Sequence, residues 1–204
     1  MPTTEEMVQE LWDREQIRQC LHRYARGVDR FDRDLILSAF HPDAIDEHGK
    51  FVGTPDEFCD WALEMHQTAQ LSHQHCLLNH TCDLDGDTAH AETYFMFTAM
   101  NRRGKPLTIG GGRYIDRLEK RDGTWRIAAR VTLRDWSNLD SIPDPTDLST
   151  MTSTAHLLSD IERVFMNAGR GPSRDRNDPS YERPLQIDPA RRDGYKELRA
   201  QGEG

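Results

Sequence analysis

LSHQHCLLNHTCDL (71–84), TAHAETYFMFTAM (88–100), LTIGGGRYIDRLEK (107–120) and TWRIAARVTLRDW (124–136) are the stretches that decide the architecture. Apolar residues recur in them largely with a period of two and with many aromatic and β-branched side chains, the pattern of half-buried strands. Asp85-Gly86-Asp87, Arg102-Arg103-Gly104-Lys105 and Arg121-Asp122-Gly123 separate them and carry the turn chemistry of hairpins. The reading is a four-stranded antiparallel meander. Gly110-Gly111-Gly112 lacks the Lys-Ser/Thr ending of a phosphate loop and opens no helix. Inside a strand, such glycines predict a bend and a close backbone approach.

Upstream, the period is helical. Thr3 and Glu6 form a T-x-x-E capping box, and Val8, Leu11, Ile17, Leu21, Tyr24 and Val28 continue at mostly three- and four-residue steps to a helix end near Gly27. Asp32 caps a second short helix through Leu35, Ile36 and Phe40, stopped at His41-Pro42-Asp43. Ala44 to Val52 reads as a short hairpin around His48-Gly49. Thr54-Pro55-Asp56-Glu57 opens a third helix that carries Phe58, Trp61, Ala62 and Met65 on one face. Three helices followed by a meander predict an α+β fold, a curved antiparallel sheet with the helices on one face, over residues 1–140.

Residues 141–204 read as a C-terminal extension. Pro143 and Pro145 interrupt the pattern, Leu157, Leu158, Ile161, Val164 and Phe165 suggest one helix, and a polar tail follows from Gly169, expected to lie on a neighbouring chain or to be partly disordered. The formal net charge of −9 argues against a nucleic-acid partner, because a phosphate backbone requires a positive footprint. Arg170, Arg174 and Arg176 are interrupted by Asp175 and Asp178. No leader-like start and no 18-residue apolar run is read, which predicts no membrane partner. Cys20, Cys59, Cys76 and Cys82 form no CxxC pair and no zinc spacing, so reduced thiols and a cytoplasmic location are expected.

The order and spacing of Tyr24–Asp29 (YARGVD), Phe40–Ala44 (FHPDA), His75–Asn79 (HCLLN), Gly110–Tyr114 (GGGRY) and Arg121–Ile127 (RDGTWRI) resemble the SnoaL-like branch of the nuclear transport factor 2-like superfamily, over about residues 5–136. That superfamily includes scytalone dehydratase, bile acid 7α-dehydratase, hexachlorocyclohexane dehydrochlorinase, ketosteroid isomerases and polyketide cyclases. It also includes the non-catalytic small subunits of ring-hydroxylating dioxygenases. The resemblance implies a cone-shaped fold and places Asp29, His75, Tyr24 and Arg130 at its functional positions. His75 would be the general base, Asp29 the carboxylate that fixes its tautomer, Tyr24 a phenol that assists the leaving group, and Arg130 an anion stabiliser or a partner for Asp29.

His73 shares the face of His75, and with His80 it raises a metal reading. No third convergent ligand is identified and parity places His80 on the opposite face, so no metal and no other cofactor is expected. His41, His48, His66 and His90 read as surface or structural. Met96–Met100 offers no titratable group where the dehydratases have one on the following strand. Phe95, Met96, Phe97 and Met100, with Trp61 and Met65 on the third helix, are candidate lining residues for a hydrophobic, aromatic or cyclic substrate, Trp61, Met65, Met96 and Met100 foremost. The reaction expected is elimination of water, halide or a one-carbon aldehyde. The alternatives are an isomerase using the same proton shuttle and a non-catalytic subunit. Alternation in 88–100 puts Tyr94, Met96 and Met100 on one face and Phe95 and Phe97 on the other. Both faces are apolar, which predicts a homo-oligomer, a trimer before a dimer.

Overall fold

The computed structural model describes residues 1–138 and 171–202. In chain order it contains α1 (Thr4–Arg30), α2 (Arg33–Leu37), β1 (Phe40–Glu47), β2 (Val52–Gly53), α3 (Pro55–Ala69), β3 (Gln70–Asp85), β4 (Thr88–Asn101), β5 (Leu107–Arg121) and β6 (Thr124–Ser137). A 3-10 turn (Pro179–Tyr181) and α4 (Pro189–Gly202) follow. The fold is α+β, as the sequence indicates. Both capping boxes form: Thr3 and Glu6 close the start of α1, and Thr54 and Glu57 close the start of α3. Phe31, in the left-handed region at φ 56°, ends α1 and turns the chain directly into α2.

The sheet order is β2-β1-β6-β5-β4-β3. The meander β3–β6 is antiparallel throughout, as expected. The sheet is nevertheless larger and mixed, because Phe40–Glu47 is a strand that pairs in parallel with β6. Pro42 conceals it in the sequence. Lacking an N–H, this residue falls in the irregular stretch between Phe40 and Ile45, where the register shifts. The short hairpin is present: the His48 N–H donates to the Phe51 carbonyl at 2.7 Å, and Gly49 supplies the φ of +72° that the turn needs.

The inner face of the sheet carries α1 and α3, and the main core lies between them, with Ile17, Leu21, Phe40, Phe58 and Trp125 fully buried. Asp13 pins α1 across the β5–β6 hairpin by accepting from Trp125 Nε1 at 2.8 Å and Lys120 Nζ at 2.9 Å. The glycine run does what its position suggests. A Cβ on Gly112 would stand 2.0 Å from the Leu133 carbonyl and 2.8 Å from Phe95 Cζ. Its absence lets β6 bulge and lets Phe95 lie flat against Tyr114, ring centroids 4.4 Å apart.

The described part of the extension differs from expectation. The helix suggested at Leu157–Phe165 lies outside the described residues. Residues 171–202 pack on this chain's own sheet. Leu185, at 0% exposure, seats among Ile115, Ala129, Val131 and Leu133 on the outer face. Arg113 holds Asp178 through two hydrogen bonds of 2.9 and 3.0 Å, Arg191 pairs with Glu47 at 3.1 Å, and Tyr195 packs on Phe51. A short apolar element read from so polar a segment gives no periodic signal, so only the partner surface reveals it. Leu185 and its neighbours cover part of the outer face, while Leu71, Leu78, Tyr94, Met100, Leu107 and Trp136 of the strands remain exposed.

Leu185→Ala removes the plug of this outer cluster. It should lower the unfolding free energy by about 2–5 kcal/mol in urea titrations, the range for a buried leucine. A change below about 0.5 kcal/mol would show that the extension does not dock there.

Candidate active site

Asp29 occupies the last turn of α1, and His75 points inward from β3, where it pairs with Phe97 of β4. The structure brings them together. His75 Nδ1 lies 2.7 Å from Asp29 Oδ1, and the His75 backbone N–H donates to both carboxylate oxygens, at 3.1 and 2.9 Å. An ionised carboxylate only accepts, so this contact assigns the ring proton to Nδ1 and leaves a lone pair on Nε2. The two side chains are 8% and 11% exposed. Phe97 and Phe95 flank the imidazole at centroid distances of 4.9 and 6.5 Å.

His73 also turns to the inner face. Its Nε2 donates to the Val28 carbonyl at 3.2 Å, satisfying a group that the end of α1 leaves open, and lies 3.6 Å from Asp29 Oδ1. His66 of α3 stacks on His73, with centroids 4.1 Å apart, and its Nδ1 donates to Gln70 Oε1 at 2.6 Å. Asp29, His73 and His75 offer three ligand atoms within 4.8 Å of one another. Asp29 is thus the third donor that strand spacing does not reveal. His75 Nδ1 and His73 Nε2 are already engaged in hydrogen bonds to Asp29 and Val28, so a metal held by those two atoms would have to displace them.

Tyr24 and Arg130 form a different cluster. Arg130 does not pair with Asp29. At 0% exposure it donates from Nε and Nη2 to Asp116 at 2.7 and 2.8 Å, and it lies between the rings of Tyr24 and Tyr114, 4.1 and 4.2 Å from their centroids. Its Nη1 has no hydrogen-bond partner among the described residues. Burial pushes the Tyr24 phenol well above its ordinary value, so it stays neutral as the roof of this cluster. Asp116, on an otherwise apolar inner face of β5, is the partner that sequence reading misses.

Asp46 and His48 were missed as well. Asp46 is fully buried opposite Arg130 in the β1–β6 register, and His48 follows on the same face. His48 Nδ1 sits 3.2 Å from Asp46 Oδ1 and 3.0 Å from Thr132 Oγ1, beneath Phe58 and Trp61 of α3. His48 is therefore interior and not a turn residue on the surface. The available signal was the alternation of Asp46 and His48 with period two.

The remaining candidates separate. Trp61 faces inward, stacked on Phe51 at 5.2 Å, and Met65 is half-buried one residue before His66. Met96 and Met100 are corrected: they pair with Cys76 and Ser72 on the outer face, and Met100 is 45% exposed. Phe95 and Phe97 take the inner places. His80 is corrected in the other direction. A bulge between Leu77 and His80 inverts the parity, and His80 Nδ1 contacts the inward Thr93 Oγ1 at 2.8 Å. A groove of about 220 Å³ opens beside them between α1 and the sheet, lined by Leu21, His22, Leu77 and Thr93 among others.

The family model of the SnoaL-like domain matches residues 9–131. The chain belongs to the SnoaL-like family. No curated protein matches it in sequence. Among solved structures, this SnoaL-like chain is similar to a proposed scytalone dehydratase from Novosphingobium aromaticivorans, with TM-score 0.59 and 19% identity over 65% of this chain and 90% of that one. It is similar to the hexachlorocyclohexane dehydrochlorinase LinA-type3 from Novosphingobium barchaimii, with TM-score 0.60 and 16% identity over 64% and 92%. A Mycobacterium tuberculosis protein of unknown function is 24% identical over 76% and 92%, with TM-score 0.59. The SnoaL-like fold is thus shared with a dehydrochlorinase, and no helix among the described residues is long and apolar enough to cross a membrane.

Burial pushes His66 down to about 3, against the opposing effect of its bond to Gln70. Between pH 6.5 and 3 the unfolded chain therefore holds a proton that the folded chain rejects. The contribution is complete above about pH 6.5 and is lost on acidification toward 3, at up to about 1.4 kcal/mol per pH unit. Urea titrations from pH 7 to 4 should show stability falling, and His66→Gln should flatten that slope by about one proton.

Proposed function

We propose that the protein is a cofactor-independent lyase acting on a hydrophobic, aromatic or cyclic small molecule. The observation that carries this reading is the 2.7 Å contact between His75 Nδ1 and Asp29 Oδ1. Asp29 accepts both the ring N–H and the backbone N–H of His75, so the imidazole is fixed in orientation and in tautomer. Nε2 takes a proton from an activated substrate C–H. In loss of halide or water the electrons of that bond form the double bond, and the leaving group departs with its own bonding pair, as halide or as hydroxide that takes up a proton to become water. In loss of a one-carbon aldehyde Nε2 instead takes the proton of a substrate O–H, the aldehyde C=O forms, and the C–C bonding pair stays on the remaining carbon. The growing positive charge on the ring is stabilised by the carboxylate behind it. Phe95 and Phe97 beside the imidazole suit an apolar or aromatic substrate.

The Arg130–Asp116 pair supports the site without taking part in the reaction, because the guanidinium is spent on Asp116 and enclosed by two rings. This differs from an anion-stabilising role for Arg130. The similarity to a dehydrochlorinase and to a proposed dehydratase supports the lyase class, and the leaving group is the open variable.

His75→Gln should reduce elimination activity by about 10²- to 10⁴-fold, and Asp29→Asn should reduce it substantially with the fold intact, the usual weight of a positioned general base. The measurement is turnover of a panel of β-hydroxy and β-halo aromatic ketones. Activity should survive exhaustive chelation. Unchanged turnover in His75→Gln, or loss with EDTA restored by one divalent metal, would overturn the mechanism.

A further inference from the structure

We infer that His48 is a second catalytic residue, the acid that protonates the leaving group, with Asp46 as its positioning residue. The inference rests on the lyase reading and supplies the acid that Met96–Met100 lacks.

The geometry of the first pair recurs at the second. His48 Nδ1 faces Asp46 at 3.2 Å, as His75 Nδ1 faces Asp29. In each, a carboxylate behind the ring leaves Nε2 as the working atom. Thr132 Oγ1 at 3.0 Å gives the His48 ring a second anchor. Both histidines belong to the inner face. His48 lies 6.1 Å from the Tyr114 ring, Tyr114 stacks on Phe95 at 4.4 Å, and Phe95 lies 6.5 Å from His75. α3 roofs both, with Phe58 and Trp61 over His48 and His66 over His73 and His75.

The carboxylate behind the ring suits His48 to proton transfer, because it stabilises positive charge on an imidazole. Asp46 and Asp116 are both fully buried, and a buried carboxylate must be paired. Arg130 is the cation at this level, and two of its nitrogens are committed to Asp116. The hydrogen-bonded partner that Asp46 has is His48. Among the other ionisable groups nearby, Tyr24 and Tyr114 are phenols that burial keeps neutral, and burial pushes the Cys59 thiol up to about 11. His48, hydrogen-bonded to Asp46 on the inner face, is thus the group placed to pass a proton to a leaving group.

In dehydration the step runs as follows. His75 Nε2 removes the substrate C–H proton and the C=C bond forms. The C–O bond breaks, and the leaving oxygen takes the proton from His48 Nε2 and departs as water. Solvent then takes the proton from His75 and supplies one to His48, so the net reaction releases only water.

Two probes separate acid from base. 5-Nitrobenzisoxazole loses its C–H proton and opens to a stabilised phenolate, which needs a base and no acid. 4-Hydroxy-4-phenylbutan-2-one must expel hydroxide, which needs both. His48→Gln should slow the dehydration about 100-fold or more while changing the ring opening by less than about threefold, the usual weight of general acid catalysis. Asp46→Asn should follow the same split, and a downfield, hydrogen-bonded His48 Nδ1 proton seen by NMR should disappear in it. Melting curves matched to the wild type confirm folding. Equal losses on both probes, or an unaffected dehydration, overturn the role of His48 alone. A wild-type protein that turns over neither probe, or whose ring opening survives His75→Gln, overturns the lyase reading and the His48 role with it.

Discussion

A guanidinium with no solvent exposure sits at the centre of this fold, and the placement of Arg130 constrains much of what surrounds it. A buried charge is tolerated only with its counter-charge and its hydrogen bonds in place, and unpairing one costs about 3–5 kcal/mol. Arg130 comes from β6, its bidentate partner Asp116 and one covering ring, Tyr114, from β5, and the other ring, Tyr24, from α1. The arrangement therefore ties the helix to the sheet at one register. Tyr24 and Asp29 are five residues apart on α1, about 7.5 Å at 1.5 Å per residue. Fixing the first over Arg130 helps deliver the second to His75 on β3. The core pair thus positions the candidate site without entering it.

Burial then divides the inward histidines into roles. His66 is driven neutral and spends Nδ1 on Gln70, and His73 spends Nε2 on the open carbonyl of Val28. They act as structural wall. His75 and His48 each have a carboxylate behind Nδ1 and a second nitrogen that the protein does not consume in those contacts. The difference lies in what backs the ring, since a carbonyl or amide fixes a tautomer whereas a carboxylate also stabilises the charged form.

The outer face obeys a different constraint. Ile115, Val131 and Leu133 would present apolar surface to water, and Leu185 with its flanking ion pairs covers them from the same chain. Arg113 gathers Glu92, Asp135 and Asp178, so the docking of the extension is electrostatic at its rim and hydrophobic at its centre. A segment with little core of its own is ordered by what it covers.

The sequence by itself determined the capped helices α1 and α3, the antiparallel meander and the glycine bend, because each is written in local signals: caps, turn residues, and periods of 2 or 3.6. The candidates Asp29 and His75 came from the resemblance to the SnoaL-like family and not from those signals. Tertiary structure decided the rest for identifiable reasons. Pro42, read as a helix stop, hid the start of β1 and its parallel pairing with β6, and only that pairing shows that the face carrying Asp46 and His48 is the inner one. A bulge after Leu77 inverted the face of His80, because the period of a strand does not survive an inserted residue. Met96 and Met100 fell outside because parity states which residues share a face but not which face is the interior. Arg130 took Asp116 and not Asp29, since strand register, fixed only when β5 meets β6, sets which charges adjoin. Local sequence specifies elements and alternation, whereas long-range pairing specifies which side is buried and which charges meet there.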